Sequence, residues 1–427
     1  VPKKKDREGK MERKHALDGV KIVDFGWVAT GPGSIKELAW HGATVVRVES
    51  HRRPDPTRTG GVPFKEGKPG IDRNAFFAAM NPNKYGITLD MSMPKGKEIA
   101  HRLIRWADIV AEGYTPGVMA KLGLDYDSVK KIKPDIIYLS TSQLGQTGPH
   151  TQFAGTGLQA TVLAGFGHLV GWPDRAPTGL FGPYTDFVTP RFNIICLMAA
   201  LLYRKRTGKG MYLDSSQLEA TVNFLAPAIL DYTVNNRVWN PMGNQHPAAA
   251  PHGAFPCRGD DRWCVIAVFS DEEWRAFCNA IGNPEWTRDA KFATILARKA
   301  NEEELNNLVG EWTANFAAEE VVALMQRAGV SAGVVNKPQD LFEDPQLKHR
   351  QHFQFMEHPV IGRHAYHAPA YRLSETPFEA RMPAPCIGQH NEYVYKEFLG
   401  MSDDEIAELL VEGVITTDAD LAEAMEG

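Results

Sequence analysis

The sequence holds few groupings of residues able to do chemistry, and each has a plain structural alternative. Asp186, in Gly182-Pro183-Tyr184-Thr185-Asp186-Phe187, stands just ahead of a long helical stretch over 191–205. A carboxylate there can cap the helix, because Asp is favoured at that position, or it can act as a nucleophile. Position alone leaves both readings open. Asp24 stands inside a β-rich run, one residue before its end at Phe25, and reads as a strand-end polar group. The segment Gly31-Pro32-Gly33 precedes a helix expected from 34 to 41, whose N-terminal N–H groups and dipole can receive a phosphate. Its spacing is not GxGxxG, so it does not specify a dinucleotide. His349, His352, His358, His364 and His367 include two pairs three residues apart. Pro359 and Gly362 break any helix through all five, and there is no HExxH, so surface or packing roles are expected and no metal site. The five cysteines (Cys196, Cys257, Cys264, Cys278, Cys386) form no CxxC pair. They read as small buried hydrophobes in a reducing cytoplasm.

The elements that must position these residues alternate between strand and helix. Residues 20–25 and 44–49 are β-rich and flank the 34–41 helix, a βαβ unit that implies a parallel sheet. The alternation continues with helix at 94–107, strand at 108–112, helical stretches at 116–122 and 124–131, and strand at 135–141. The 191–205 helix ends at Thr207-Gly208-Lys209-Gly210, followed by strand at 211–215 and helix at 217–230. At 427 residues the chain exceeds one ordinary core, and two domains are expected. The reading is a basic leader over 1–16, a large α/β domain over 17–232 and a linker over 233–256. A smaller α/β domain over 257–334 and a second linker over 335–346 precede a tail over 347–427 with short strands and a final helix at 403–411. A net charge of −5 disfavours a nucleic-acid binder. The basic run from Lys3 to Lys14 reads as a solvated leader without the apolar stretch of a secretory signal. The longest apolar run, 194–203, falls well short of the roughly 20 residues that span a bilayer, so a soluble protein without membrane contact is expected.

Several stretches, in order along nearly the whole chain after the leader, resemble the family III coenzyme A-transferases. The first is Leu17-Asp18-Gly19-Val20-Lys21-Ile22-Val23-Asp24-Phe25 with Gly31-Pro32, Leu38-Ala39, Gly42-Ala43 and Val48-Glu49. Asn83-Lys84 with Ile87-Thr88-Leu89-Asp90 follows, then Ala107-Asp108-Ile109-Val110 with Pro116-Gly117. Gly145-Gln146-Thr147-Gly148-Pro149, Arg206-Thr207-Gly208-Lys209-Gly210, Asp344-Pro345-Gln346 and Ser402-Asp403-Asp404-Glu405-Ile406 complete the set.

The resemblance implies a Rossmann-like parallel-sheet large domain plus a smaller α/β domain, with the tail returning to the large domain. It also implies an interlocked-ring homodimer, a hetero-oligomer being the alternative. It assigns Asp186 as the catalytic carboxylate. Attack on an acyl-CoA would give a mixed anhydride, the expelled thiolate would return to make an aspartyl-CoA thioester, and an incoming acid would take up the CoA. Coenzyme A and acyl-CoA are then substrates, and no permanently bound cofactor is expected. Carried over by position, the CoA contacts are Val28, Ala29 and Thr30; Leu89, Asp90 and Met91; Gly113, Tyr114 and Thr115; and Lys121. The basic residue that family members carry after the second strand's glutamate is Ser50 here, with Arg52 or Arg53 as the substitute, and Phe153-Ala154 stands where a Lys or Arg is common. An α-methylacyl-CoA racemase is the rival reading, but the histidine it would pair with the aspartate is replaced by Thr156 in Gly155-Thr156-Gly157, and His168 sits in a glycine-rich run. Trp172, Phe181, Tyr184 and Phe187 around Asp186 suggest an aromatic or arylsuccinate-type acid as acceptor.

Overall fold

The computed structural model describes residues 15–61, 63–180 and 182–417; the leader up to Lys14, and Phe181, lie outside them. Six strands, β1 (Lys21–Phe25), β2 (Thr44–Glu49), β3 (Lys84–Thr88), β4 (Ile109–Glu112), β5 (Ile137–Ser142) and β6 (Met211–Ser216), form one parallel sheet in the order β3-β2-β1-β4-β5-β6. Parallel pairing requires crossovers that cover both faces, which is why these strands are apolar on alternate residues toward both sides. Ile22, Val45, Ile109, Ala111, Ile137 and Leu139 turn to one face; Val23, Phe25, Val46, Val48 and Val110 turn to the other.

Four helices bear on the candidate site: α1 (Thr30–Trp40), α2 (Gly157–Leu163), α3 (Tyr184–Thr207) and α4 (Gln217–Val222). The first face is packed by Ile35 and Leu38 of α1 and by Leu197 and Ala200 of α3. The second is packed by Ile99 and Leu103 of the helix Pro94–Trp106 and by Val394, Tyr395, Ile406 and Leu409 from the end of the chain. Strand order reverses between β1 and β4, where Phe25 lies beside Glu112. The carboxyl ends of these two strands therefore open a crevice at a topological switch point, the usual ligand position in open α/β sheets.

The chain forms two compact units. The first takes in the described residues of Val1–Gly167, Gly179–Arg237 and His349–Gly427. The second takes in His168–Thr178 and Val238–Lys348, with the antiparallel sheet β7 (His252–Cys257), β8 (Arg262–Ala267) and β9 (Ser331–Val334). Its core joins Phe255, Ile266, Trp274, Phe277, Leu305, Val309, Val321 and Met325. The second unit thus begins inside the stretch read as the first linker. Strand β7 carries Gly253 and Pro256, which hide its alternation, and it tolerates them as an edge strand.

Three helix boundaries differ from the sequence reading. Helix α1 begins at Thr30, so Gly31, Pro32 and Gly33 form its first turn, where Pro is tolerated because its missing N–H would have no partner. Helix α3 begins at Tyr184 rather than 191 and continues through Pro190. The 217–230 helix is two, α4 and Ala226–Asn235, joined by the turn Asn223–Leu225 with Pro227 second in the later helix. By length and composition α3 could cross a membrane. Its residues Asp186, Thr189, Pro190, Asn193, Leu197 and Ala200 nevertheless form one buried stripe at helical spacing, the pattern of a core element. The histidines of the tail lie around the hairpin β10 (Phe353–His358) and β11 (Gly362–His367). There His358 Nδ1 accepts the N–H groups of Val360 and Ile361. His352 and His367 stack at 5.8 Å, and no metal-ligating cluster occurs among the described residues.

Candidate active site

The turn after β1 carries the first of the predicted residues, and a buried ionic network fixes it. Arg47 on β2 donates to the Gly26 carbonyl and pairs with Asp55 Oδ2 at 2.5 Å; the same oxygen accepts the Val28 N–H at 3.0 Å. Gly26 N–H in turn donates to Asp24 Oδ1, and Asp24 Oδ2 binds Lys84 Nζ at 2.9 Å. Asp24 is therefore the structural strand-end group expected. Burial pulls the Lys84 ammonium down to about 8, with Asp24 opposing the shift. Val28 is held at φ 61°, a conformation β-branched residues rarely adopt, and the network supplies the constraint that holds it there.

This turn delivers Thr30, 4% exposed, at the first position of α1. Its Oγ1 donates to Asp186 Oδ1 at 2.8 Å. Asp186 lies in the first turn of α3, where the helix dipole favours a carboxylate. It does not cap the helix: the N-cap is Pro183, and no side chain caps there. Pro190, four residues on, has no N–H to give the Asp186 carbonyl, so the regular ladder is interrupted beneath the carboxylate. One turn further, Asn193 donates to Ser34 Oγ and Thr141 Oγ1 and accepts from Ser215 Oγ, tying α3 to α1, β5 and β6.

Two further residues complete the surroundings. Gln217, at the start of α4 directly after β6, donates to Thr30 Oγ1 at 2.7 Å. Gly157, the first residue of α2, faces the carboxylate so closely that a Cβ on it would lie 2.4 Å from Oδ2. Its carbonyl accepts the hydroxyls of Thr161 and Thr185 at 2.8 and 2.9 Å. Burial pushes the Asp186 carboxyl above its ordinary value, and the Thr30 hydrogen bond, with Gln217 behind it, offsets part of that rise. The result is a desolvated carboxylate with one oxygen held, an arrangement suited to nucleophilic attack.

The structure brings some of the expected binding residues together and not others. Gly113 and Tyr114 follow β4 across the switch point from the β1 turn; the Tyr114 ring packs on Trp27 at 5.1 Å, and its N–H donates to Glu112 Oε2. Ala29 is buried as the residue that caps α1, and Val28 is half-exposed beside it. Arg52 is mostly exposed, with Nε 3.1 Å from Asp90 Oδ2, so these two expected contacts meet each other. Arg53 lies over the Trp27 ring at 5.9 Å. Leu89 and Met91 are buried in the core, and the Leu89 N–H extends the ladder to the Glu49 carbonyl. Thr115 lines a cavity of about 330 Å³ with Glu112, Tyr138, Ser140 and Tyr212, whereas Lys121 is exposed on the short helix Val118–Leu122.

Gln217 was missed by sequence reasoning, although a signal existed: it follows a parallel strand whose carboxyl end must point the same way as that of β1. Gly157 was read only as part of a missing histidine motif. The structure keeps that motif without a base, since Thr156 Oγ1 bonds Gln159 and His168 belongs to the second unit, near Asn240. Of the aromatic residues, Tyr184 packs against Phe166 and Phe224, Phe187 is half-exposed, and Trp172 belongs to the second unit under Gly243.

Comparison with known proteins gives a consistent picture. Residues 17–391 match the model of CoA-transferase family III. The chain is 31% identical to the succinyl-CoA:glutarate CoA-transferase of Mus musculus over 93% of its length and 90% of that protein. It is 30% identical to the succinyl-CoA--D-citramalate CoA-transferase of Chloroflexus aurantiacus over 93% of its length and 98% of that protein. The crystal structure of a CAIB/BAIF family protein from Brucella suis superimposes with a TM-score of 0.83 at 32% identity, covering 90% of this chain and all of that one. With a parallel α/β fold, an ordered set of motifs and this breadth of similarity, the chain belongs to CoA-transferase family III, enzymes that move coenzyme A from a thioester to a carboxylic acid.

Proposed function

We propose that Asp186 is the nucleophile of the transfer. Its carboxylate attacks the acyl-CoA carbonyl, giving a mixed anhydride and free CoA thiolate, which then attacks the aspartyl carbon to form an aspartyl-CoA thioester. The acceptor acid reverses the sequence and leaves as its own CoA ester. The observation that carries this reading is the carboxylate itself: 8% exposed, without an ion-pair partner among the described residues, one oxygen held by Thr30, beside the switch-point crevice. Incubation with succinyl-CoA followed by hydroxylamine or borohydride should modify Asp186, and Asp186→Ala should abolish both modification and turnover. Modification elsewhere, or an active Ala variant, overturns the assignment.

The CoA moiety is assigned to the crevice bounded by Val28, Ala29, Thr30, Gly113, Tyr114 and Thr115, with Arg52 and Lys121 as cations for its phosphates and Leu89, Asp90 and Met91 forming the wall behind. For the acceptor, the relatives' glutarate and citramalate favour a short dicarboxylic acid with succinyl-CoA as donor. An aromatic acid is the second reading, supported only by Tyr184 two residues from the carboxylate. A panel of both acid types against succinyl-CoA decides between them. The racemase alternative predicts deuterium uptake at the α-carbon without an acceptor.

The working assembly is taken to be a homodimer. Ile195 (66% exposed), Leu230 (60%) and Val234 (76%) leave apolar surface on α3 and the helix Ala226–Asn235 that a second copy would cover. Native mass spectrometry tests this against a mixed assembly, which would leave the purified chain monomeric and inactive. The five free thiols support a cytoplasmic setting.

A further inference from the structure

Thr30 offers Asp186 more than orientation. A hydroxyl has one proton and two acceptor lone pairs. With its proton on Asp186 Oδ1 at 2.8 Å and a lone pair taken by Gln217 Nε2 at 2.7 Å, Thr30 is the middle of a directed chain from Gln217 to Thr30 to Oδ1. Successive hydrogen bonds of this kind polarise one another. The two carboxylate oxygens are not equivalent: Oδ1 is held by this chain, whereas Oδ2 faces Gly157, where only the absence of a side chain leaves room.

Following the atoms through the proposed reaction gives Oδ1 a distinct fate. Oδ2 attacks the acyl carbon, the C–S bond breaks, and CoA leaves as thiolate. The thiolate then attacks Cγ of Asp186, and the electron pair of the Cγ–Oδ1 double bond moves onto Oδ1. Collapse of this adduct breaks the Cγ–Oδ2 bond, so Oδ2 departs within the released donor acid. Oδ1 remains as the carbonyl oxygen of the aspartyl thioester. When the acceptor carboxylate attacks Cγ, negative charge builds on Oδ1 a second time before CoA is expelled. We infer that Thr30 is a catalytic residue, an oxyanion donor to the enzyme's own Oδ1 in both tetrahedral adducts, and that Gln217 is a positioning residue that aims the Thr30 proton at that atom. A preorganised donor at such a site acts in a buried environment and needs no reorganisation as charge develops.

This inference rests on Asp186 being the nucleophile, and the test separates the two. Single-turnover formation of the covalent CoA adduct from succinyl-CoA is followed by intact-protein mass spectrometry in wild type, Thr30→Val, Thr30→Ala, Thr30→Ser, Gln217→Leu and Asp186→Ala, with CoA affinity measured by calorimetry. Removing one such donor elsewhere costs about 10²–10³ in rate. Thr30→Val and Thr30→Ala should therefore form the adduct about 10²-fold more slowly with CoA affinity nearly unchanged. Thr30→Ser should recover most of the rate, and Gln217→Leu should be slowed by about tenfold. Because the Thr30 bond favours the ionised carboxylate, the acid limb of the pH–rate profile should move to higher pH in the Val variant. Two hydroxyl-free variants guard against a packing defect specific to either. Adduct formation in Thr30→Val and Thr30→Ala within about threefold of wild type leaves Thr30 a packing residue and overturns the inference. Adduct formation in Asp186→Ala overturns the nucleophile assignment instead.

Discussion

A methyl group on Gly157 would sit 2.4 Å from Oδ2 and 2.7 Å from Oδ1 of Asp186, closer than non-bonded atoms can approach. Helix α2 therefore meets the Asp186 end of α3 through bare backbone. That backbone is itself anchored, because the Gly157 carbonyl accepts two hydroxyls. Gly157→Ala should rotate or displace the carboxylate while leaving the CoA crevice in place. Misplacement of a reacting group by about 1 Å costs about 10²-fold. The expected outcome is a fall in kcat of that order with little change in KM for acyl-CoA, read from steady-state kinetics. A variant with wild-type kcat would mean that Asp186 can move without penalty.

Burial raises the Asp186 carboxyl above its unfolded value, so the ionised form is a cost to the fold. That cost is absent below the unfolded value, where the group is protonated in both states, and fully present above the folded one. Asp186→Asn, whose amide oxygen can still accept from Thr30, should therefore be more stable than wild type at pH 8. At about 2.1 cal/mol/K of unfolding entropy per residue, each 1 kcal/mol of gain raises Tm by only about 1 °C in a chain of this size. The gain should shrink as pH falls, measured by thermal melts across pH. A constant gap would locate the effect in packing and not in ionisation.

Glu112, beside Phe25 at the switch point, is a second buried carboxyl. Burial raises it to about 7, with Asp214 adding to the rise and hydrogen bonds from Ser140 and the Tyr114 N–H opposing it. Its protonated form stabilises the fold below the unfolded value of 4.5, and that contribution is lost as pH climbs through about 7. Glu112→Gln should keep the neutral hydrogen bonds and remove this part of the pH dependence, a difference on the order of 1–3 kcal/mol between pH 5 and pH 8. Urea unfolding of both proteins at the two pH values gives the comparison; parallel curves would place the proton elsewhere.

How much of this was legible in the sequence depends on the range of the interaction. Strands β1, β2, β4, β5 and β6 were readable because apolar alternation and β-branched residues are local, and β2 (Thr44–Glu49) coincides with its expected limits; β3 (Lys84–Thr88) entered only through the Asn83-Lys84 motif of the resemblance. Asp186 itself was singled out through the ordered motifs around it. The Thr30–Asp186 bond was not, because it joins the ends of two helices 156 positions apart and nothing near either residue encodes the other. Thr30 was expected only as part of a CoA-binding turn, and Gln217 only as the start of a helix. Strand β7 was hidden by its Gly and Pro, and the recruitment of 168–178 to the second unit depends on contacts such as that between Trp172 and Gly243. The extent of the ionic network was invisible for the same reason, since Glu49, Arg58 and Asp72 meet only when the loop after β2 folds back.

That network supports the last prediction. Arg58 is fully buried, grips Glu49 through Nε and Nη2 at 2.9 and 2.7 Å, pairs with Asp72, and sits with Cζ 3.7 Å from the centre of the Phe77 ring. Burial alone would raise Glu49, but pairing with Arg58 and Arg47 outweighs it and holds the carboxyl at about 2. Glu49 therefore stays charged, and removing Arg58 strands that charge in the interior. Breaking a buried pair from one side costs about 3–5 kcal/mol. Arg58→Ala should lose stability on that scale in urea unfolding. Arg58→Lys should recover little, because an ammonium cannot reproduce the two-nitrogen grip or the guanidinium contact with the ring. Glu49 also closes β2 beside the turn pinned by Arg47 and Asp55, so any Arg58 variant that folds should show weaker CoA binding as that turn loosens. Wild-type stability in Arg58→Ala would mean that the neighbouring Arg47 neutralises Glu49 unaided.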